Sequence, residues 1–346
     1  MSVRAFLYVL RMKLVTLVAP DRSHHIGALI TDLPFGQNKI VDFYEVEMST
    51  NHSNMVEFIK HQSRTLPWAK EQIQKAKEGK LSAHCVVNES DVLLTAPIPH
   101  PLSCRDGYAF RQHVESARRG RGLPMIPEFD EFPVFYYTNH QAIVGPGEIF
   151  VMEKALERLD FELEVAIVTG KEGRNIPASK ADEYIFGYMI MNDWSARELQ
   201  TQEMKMNLGP AKGKDFATGL GPYLVTKDEL EKYRIPGNPN ADASKPNGVG
   251  DRYNLRMTSF HNGKQVSDGN LKDMNWTFAQ ILARVSYGVT VHAGEVIGSG
   301  TVGTGCYMEL NATKVTDNVW LKPGDTFALE VESLGRLENT IRKENA

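Results

Sequence analysis

Apolar and polar positions alternate strictly through residues 159–169, LDFELEVAIVT. Leu159, Phe161, Leu163, Val165 and Ile167 therefore face one way along a strand, and Asp160, Glu162, Glu164 and Ala166 the other. Shorter runs, KLVTLVA, HIGALI and KIVDFYEV, predict strands and turns within residues 12–45. Residues 54–80 read as helical, with charges gathered on one side. Residues 91–97 read as a strand entering the proline-marked linker PIPHP, which places a boundary near residue 98. Beyond it, 105–119 reads as a helix, 132–151 as strand-like pieces around VGPGE, and 179–190 as a helix running into NDWSARELQ. Strands are expected near 216–225 and 253–266, a polar loop over 235–250 and an amphipathic helix over 275–286. The end reads as strand-rich: EVIGSG, CYMELNATKV and TFALEVESL. Strands that do not alternate regularly with helices predict an α+β, β-rich architecture rather than a doubly wound sheet. The expected organisation is an upstream extension at 1–11, a smaller N-terminal α+β domain at 12–97 and a larger domain at 98–346 that holds the chemistry.

Composition narrows the function classes. The chain has 346 residues, 42% of them hydrophobic and 24% charged, enough for a sizeable core. A net charge of −4 lacks the basic excess of a nucleic-acid binder, and the short cluster Arg118, Arg119 and Arg121 reads as a solvated helix end. Cys85, Cys104 and Cys306 show no CxxC spacing, which argues against a disulfide framework or a zinc site and for reduced thiols in the cytoplasm. No apolar run approaches the ~18–20 residues that span a bilayer, so no membrane association is expected. Arg11 and Lys13 interrupt the apolar start, and no small-residue cleavage site follows, so no secretory signal is expected.

The candidate chemistry lies after residue 98. Glu162 and Glu164 project from one strand face with attachment points roughly 6.6 Å apart. Such like charges either face solvent or hold a cation between them, and hard Mg²⁺ or Ca²⁺ suits carboxylate oxygens. In NDWSARELQ, with Asn192 or Asp193 as the cap, Asp193, Arg197 and Gln200 fall on one face of a helix at i, i+4 and i+7, either as a functional set or as an ordinary Asp–Arg pair. In RDGYAFRQH, Asp106 and His113 are two turns apart on one helical face, either converging on a site or lying separately at the surface. Gly298, Gly300 and Gly303 spell GxGxxG, but the residues after them read as a strand, whereas dinucleotide binding needs a helix N-terminus there. The same glycines would let the backbone approach a ligand closely. Tyr108, Tyr136, Tyr137 and His140 are candidates for substrate contact or for packing. His24 and His25 read as surface residues, and Trp194 and Trp276 as core.

NDWSAR followed by ELQ, then GPAKGKDFATGLGPYLV, then GEVIGSGTVGTGCYMEL, with DFELEVA upstream, resembles the fumarylacetoacetate hydrolase family over roughly residues 96–335. The resemblance implies a mixed, β-rich roll, a homodimer, and Mg²⁺ or Ca²⁺, with Mn²⁺ also acceptable, on carboxylates. Glu162, Glu164 and Asp193 match the shared metal ligands. In the fumarylacetoacetase-like branch a fourth acid precedes a histidine by seven residues, which carries those roles to Asp106 and His113. Glu309 matches the glutamate that pairs with the histidine, Thr301 a threonine near the substrate, and Arg197, Gln200 and Lys214 the residues that hold a developing oxyanion. Tyr108, Tyr137 and Thr301 are the expected substrate contacts. Gly107 departs from the aromatic residue of the family's DFY motif. The His-x-x-Glu pair of the small acylpyruvases is absent, since Ser116 stands where the glutamate would be. The implied activity is hydrolysis of a carbon–carbon bond in a β-diketo acid, fumarylacetoacetate or a related acylpyruvate, with decarboxylation, hydration or isomerisation of a 2-keto acid, or metal binding without catalysis, as alternatives.

Overall fold

A computed structural model describes residues 12–31, 37–120, 122–238 and 240–345; the upstream segment 1–11 and Arg121 lie outside the described residues. The chain opens with an antiparallel meander of β1 (Lys13–Val18), β2 (His24–Ile30) and β3 (Lys39–Asp42). Two helices follow, α1 (Met55–Lys60) and α2 (Gln62–Lys77). Asn54 starts α1, its side chain accepting from the backbone N–H of Val56 and Glu57. The short strands β4 (Val86–Asn88) and β5 (Leu93–Thr95) complete this segment.

Beyond the linker come β6 (Cys104–Gly107), α3 (Arg111–Arg119), β7 (Phe135–Thr138), β8 (Ile143–Val144) and β9 (Gly147–Val151). The central strands are β10 (Leu163–Thr169), β11 (Ile185–Asp193) and β12 (Thr218–Thr226), with α4 (Arg197–Met204) between the last two. The hairpin β13 (Arg256–His261) and β14 (Lys264–Asn270) leads to α5 (Phe278–Ser286) and β15 (Val296–Gly298). The chain ends with α6 (Tyr307–Ala312), β16 (Thr326–Val331) and β17 (Gly335–Lys343).

Two sheets organise these strands. The larger has twelve and runs β4-β3-β2-β1-β12-β11-β10-β15-β6-β7, with β5 attached to β1 and β8 to β12. The smaller runs β14-β13-β16-β17-β9. Because Lys13 pairs with Val225, the strands before residue 98 continue the same sheet as those after it. The strict alternation of 159–169 sorts the core. Leu159, Phe161, Leu163, Val165 and Ile167 join one apolar cluster with Phe327, Leu329 and Leu337 of the smaller sheet and Phe278 and Ile281 of α5. Ala166 and Val168 join the cluster that packs Phe58, Ile59 and Leu66 of α1 and α2. Full burial of such a side chain contributes about 1.5–3 kcal/mol. Both faces of β10 are covered, so the acidic side is not a solvated sheet face. The three thiols are free and buried, and Trp194 and Trp276 are core.

Four expectations about local structure are corrected. Residues 179–190 are mostly strand: a short helix ends at Ala181, and β11 begins at Ile185. β11 is buried at all nine positions, so its apolar residues run on without the alternation that marks a half-exposed strand. Asp106 does not share a helix with His113, because β6 ends at Gly107 and α3 begins at Arg111. Likewise Asp193 closes β11 and α4 starts at Arg197, so neither Asn192 nor Asp193 caps it. CYMELNATKV is not a strand; it forms α6, whose first N–H groups are held by a carboxylate from a distant part of the chain.

Candidate active site

Strand register gathers four acids. Asp106 lies on β6, Glu164 on β10, Asp193 at the last position of β11, and Glu162 immediately before β10. One carboxylate oxygen from each lies within 4.8 Å of the others, and all four residues are buried. β15 runs between β6 and β10, with Gly298 paired to Asp106 on one side and Ala166 on the other. A Cβ at Gly298 would press on Asp106 Oδ1 and come within 2.7 Å of Met191 Sδ and 3.1 Å of Glu164 Oε2. The glycine thus makes room for two carboxylates across its own backbone. Two residues on, Gly300 takes φ +79° and donates its N–H to Asp106 Oδ1 at 3.0 Å.

Two cations partly offset this charge. Lys214 Nζ donates to Glu162 Oε2 at 2.5 Å and to Asp193 Oδ2 at 2.8 Å. Arg197 donates from Nη2 to Glu162 Oε1 and from Nε to Asp160 Oδ2, both at 2.8 Å. Burial works to raise Glu162, but Lys214 and Arg197 outweigh it and hold its carboxyl down at about 2. The other three remain short of positive charge. Burial, then repulsion from Asp193, pushes Asp106 up to about 7. Burial, then Asp106, raises Glu164 well above the usual carboxylate range. Burial raises Asp193 although Lys214 opposes it. Glu164 Oε2 and Asp193 Oδ1 are buried without a hydrogen-bond partner. Orphaned, crowded carboxylate oxygens are costly unless a cation satisfies them. The set Asp106, Glu162, Glu164 and Asp193 therefore fits a hard divalent ion such as Mg²⁺, Ca²⁺ or Mn²⁺.

The cluster forms part of the wall of a cavity of about 620 Å³, whose polar residues include Asp106, Glu162, Arg197, Gln200, Lys214 and Thr301. His113 and Tyr108 line it too. α3 presents His113 one turn in, and this helix starts without a cap of its own; Asn275 Oδ1 accepts from Arg111 N at 2.8 Å instead. His113 Nδ1 lies 2.9 Å from Glu309 Oε2, with both side chains buried. Glu309 reaches this position from the first turn of α6. Thr301 Oγ1 donates to Glu164 Oε1 at 3.3 Å. Gln200 Oε1 accepts from Arg197 Nη1 at 2.9 Å, which leaves the amide N–H₂ of Gln200 for other partners.

Among the expected substrate contacts, Tyr108 and Thr301 line the cavity and Tyr137 does not. Register decides this: Tyr136 pairs with Asp106, Tyr137 with Arg105, and adjacent residues face opposite sides. Tyr136 OH donates to Asp193 Oδ2 at 2.5 Å, whereas Tyr137 is 63% exposed and stacks on the Arg105 guanidinium. His140 is absent from the lining. His25 is buried rather than superficial, with Nδ1 2.8 Å from Asp42 Oδ2.

Asp160, to which the sequence alone assigns no role, joins two parts of this site. It is fully buried, and its carboxylate accepts from Arg197 Nε and from the backbone N–H of Phe161, Tyr307 and Met308. One carboxylate thus anchors Arg197 and starts α6, the helix that carries Glu309. It also fills the N-terminus that follows GxGxxG, so no phosphate seat is free there. Its place in the alternation, on the same side as Glu162 and Glu164, is the signal the sequence offers.

Residues 103–342 match the family model described as fumarylacetoacetate (FAA) hydrolase C-terminal. Oxaloacetate tautomerase YisK of Bacillus subtilis is 26% identical over 335 residues, covering 91% of this chain and 95% of that protein. Fumarylacetoacetase of Bos taurus is 32% identical over 258 residues, covering 64% of this chain and 61% of that protein. Among solved structures, fumarylacetoacetate hydrolase from Exiguobacterium antarcticum superposes with a TM-score of 0.64 at 24% identity, over 96% of this chain and all of that one. Its fold is this fold.

Proposed function

Given that the chain belongs to the fumarylacetoacetate hydrolase family, we propose that it hydrolyses a carbon–carbon bond in a β-diketo acid, with His113 as the base that activates water. The observation that carries this reading is the buried His113–Glu309 pair, whose His113 lines the same cavity as Asp106 and Glu162 of the four-acid cluster. A histidine whose Nδ1 faces a carboxylate keeps its proton there, which leaves Nε2 as the basic nitrogen. Glu309 fixes that tautomer and the ring orientation. His113 then removes a proton from water, and the resulting hydroxide attacks the carbonyl next to the bond to be cut. Lys214 has three N–H donors, and two are engaged by Glu162 and Asp193, so the third is available to the oxyanion. The Gln200 amide is a second donor. Preorganised donors of this kind contribute about 3–4 kcal/mol each. Arg197 is a third: three of its five N–H donors hold Asp160, Glu162 and Gln200, so it also positions Glu162 and Gln200. Asp106, Glu162, Glu164 and Asp193 would hold a divalent ion, which would supply Lewis-acid stabilisation of enolate charge. Breaking the carbon–carbon bond gives a carboxylic acid and an enolate, and the proton held on His113 returns to carbon.

A second reading is proton transfer without bond cleavage, interconverting the keto and enol forms of a 2-keto acid. The similarity to YisK along nearly the whole chain favours it. The two separate cleanly when the protein, loaded with Mg²⁺, is given fumarylacetoacetate, acetylpyruvate and oxaloacetate. Loss of diketone absorbance with two acids formed supports hydrolysis. Enol–keto equilibration of oxaloacetate, with both diketo acids intact, replaces it with the second reading.

A further inference from the structure

We propose that the cavity is built for a substrate whose acyl end is a long apolar chain, so that the diketo acid is an acylpyruvate with an extended aliphatic or aromatic tail. The cleavage chemistry is that of the preceding section; the tail seat rests on the cavity itself. Two helices carry the argument. On α4 the residues that line the cavity change from Arg197 and Gln200 to Thr201 and then Met204. Met204 is seven positions beyond Arg197, so the wall turns apolar over roughly 10 Å of helix. On α3 the lining passes from His113 to Ala117, about 6 Å further along. Ile126, Val134 and Met308 extend the same apolar surface. The reactive groups thus sit at one end of both helices, and the lining beyond them is mainly hydrocarbon, with Arg118 and Lys205 beside Ala117 and Met204.

Size and polarity agree. A cavity of about 620 Å³ lies within the range that encloses drug-sized ligands, and a small keto acid such as oxaloacetate would leave most of it to water. Val134 and Met204 are 43% and 47% exposed, so apolar surface is already presented at the mouth where a tail would cover it. Arg118 and Lys205 also line the cavity. They are the competing recognition element, since a tail ending in a carboxylate would pair with them.

The test uses 2-oxo acids without the second keto group, which cannot be cleaved, from pyruvate to 2-oxooctanoate. Calorimetry on the Mg²⁺-loaded protein reads their affinities. The expected result is a rise with each methylene, up to about fourfold per group. Met204→Asp and Val134→Asp flatten that rise, read as the ratio of longest to shortest ligand so that a general loss of site integrity cancels. Affinity that is level or falling with chain length overturns the proposal. So does tighter binding of 2-oxoadipate than of 2-oxohexanoate, which would assign the far end to Arg118 and Lys205. If the length dependence holds but no acylpyruvate is cleaved, the tail seat stands and the hydrolase reading falls. If acylpyruvates are cleaved at rates and affinities blind to length, the reverse follows.

Discussion

His113 Nδ1 and Glu309 Oε2 are 2.9 Å apart in the folded chain although 196 positions separate them in sequence. α3 supplies one partner and α6 the other, and each helix starts on a side chain donated from elsewhere: Asn275 for α3 and Asp160 for α6. Replacing His113 by Ala is expected to lower kcat at least ~100-fold. Glu309→Gln keeps the shape but no longer fixes the imidazole tautomer, and should lose a smaller factor. Neither change touches a carboxylate of the metal set, so Mg²⁺ affinity measured by calorimetry should stay within a few-fold of the parent. A His113→Ala protein that no longer binds the ion would contradict the assignment of this residue as base.

Metal binding should depend on pH in a defined direction. With no ion bound, Asp106 holds its proton up to about 7 instead of near 3.8, because burial and Asp193 disfavour its charge. Between those values the folded protein binds more protons than the unfolded chain, so the metal-free fold loses stability as pH rises through that window. A bound cation reverses the preference by stabilising the charged form. Mg²⁺ is therefore expected to raise Tm more at pH 8 than at pH 5, and to release protons when it binds near pH 7. Equal Tm increments at the two pH values would show that Asp106 is not a ligand.

Gly298→Ala is a single-methyl probe of the acid cluster. The new Cβ would press on Asp106 Oδ1 and Met191 Sδ. A cost of about 1–3 kcal/mol is expected from overpacking, read by denaturant unfolding. Mg²⁺ affinity should fall in the same variant, because Asp106 and Glu164 are displaced. A variant with parental stability and affinity would mean that the carboxylates sit further from this backbone than described.

Asp160→Asn tests the residue that links Arg197 to α6. The amide keeps one acceptor oxygen but loses the charge that faces the guanidinium, leaving a buried cation underpaired. Loss of about 3–5 kcal/mol of stability is expected. Catalytic loss should accompany it through Gln200 and Glu309, both positioned by this carboxylate's partners. Asp160→Ala with parental kcat and Tm would remove Asp160 from the machinery.

The chain by itself settled whatever depends on neighbours in sequence. Alternation through 159–169 set which side chains of β10 enter each core. The Thr277–Gln280 capping box marks the start of α5 within the helix expected over 275–286. Motif order, through the family resemblance, points to His113, Glu309, Lys214 and the four acids. Only the tertiary structure decided how these residues meet. A spacing of i, i+4, i+7 is satisfied by a helix, but also by a strand end, a two-residue bridging strand and a helix start, which is what Asp193, Ser195–Ala196 and Arg197 form. Local spacing holds no information to separate the two, because the choice rests on β11 pairing with β10 and β12 on both sides. The same holds for α6, whose start depends on a carboxylate 147 positions away in sequence. Tyr136 rather than Tyr137 faces the site because β7 pairs with β6 in a register that adjacent sequence cannot fix. The acids carry their chemistry in the sequence, but their mutual distance, and hence the displaced protonation that suits them to a cation, is a property of strand pairing and burial alone.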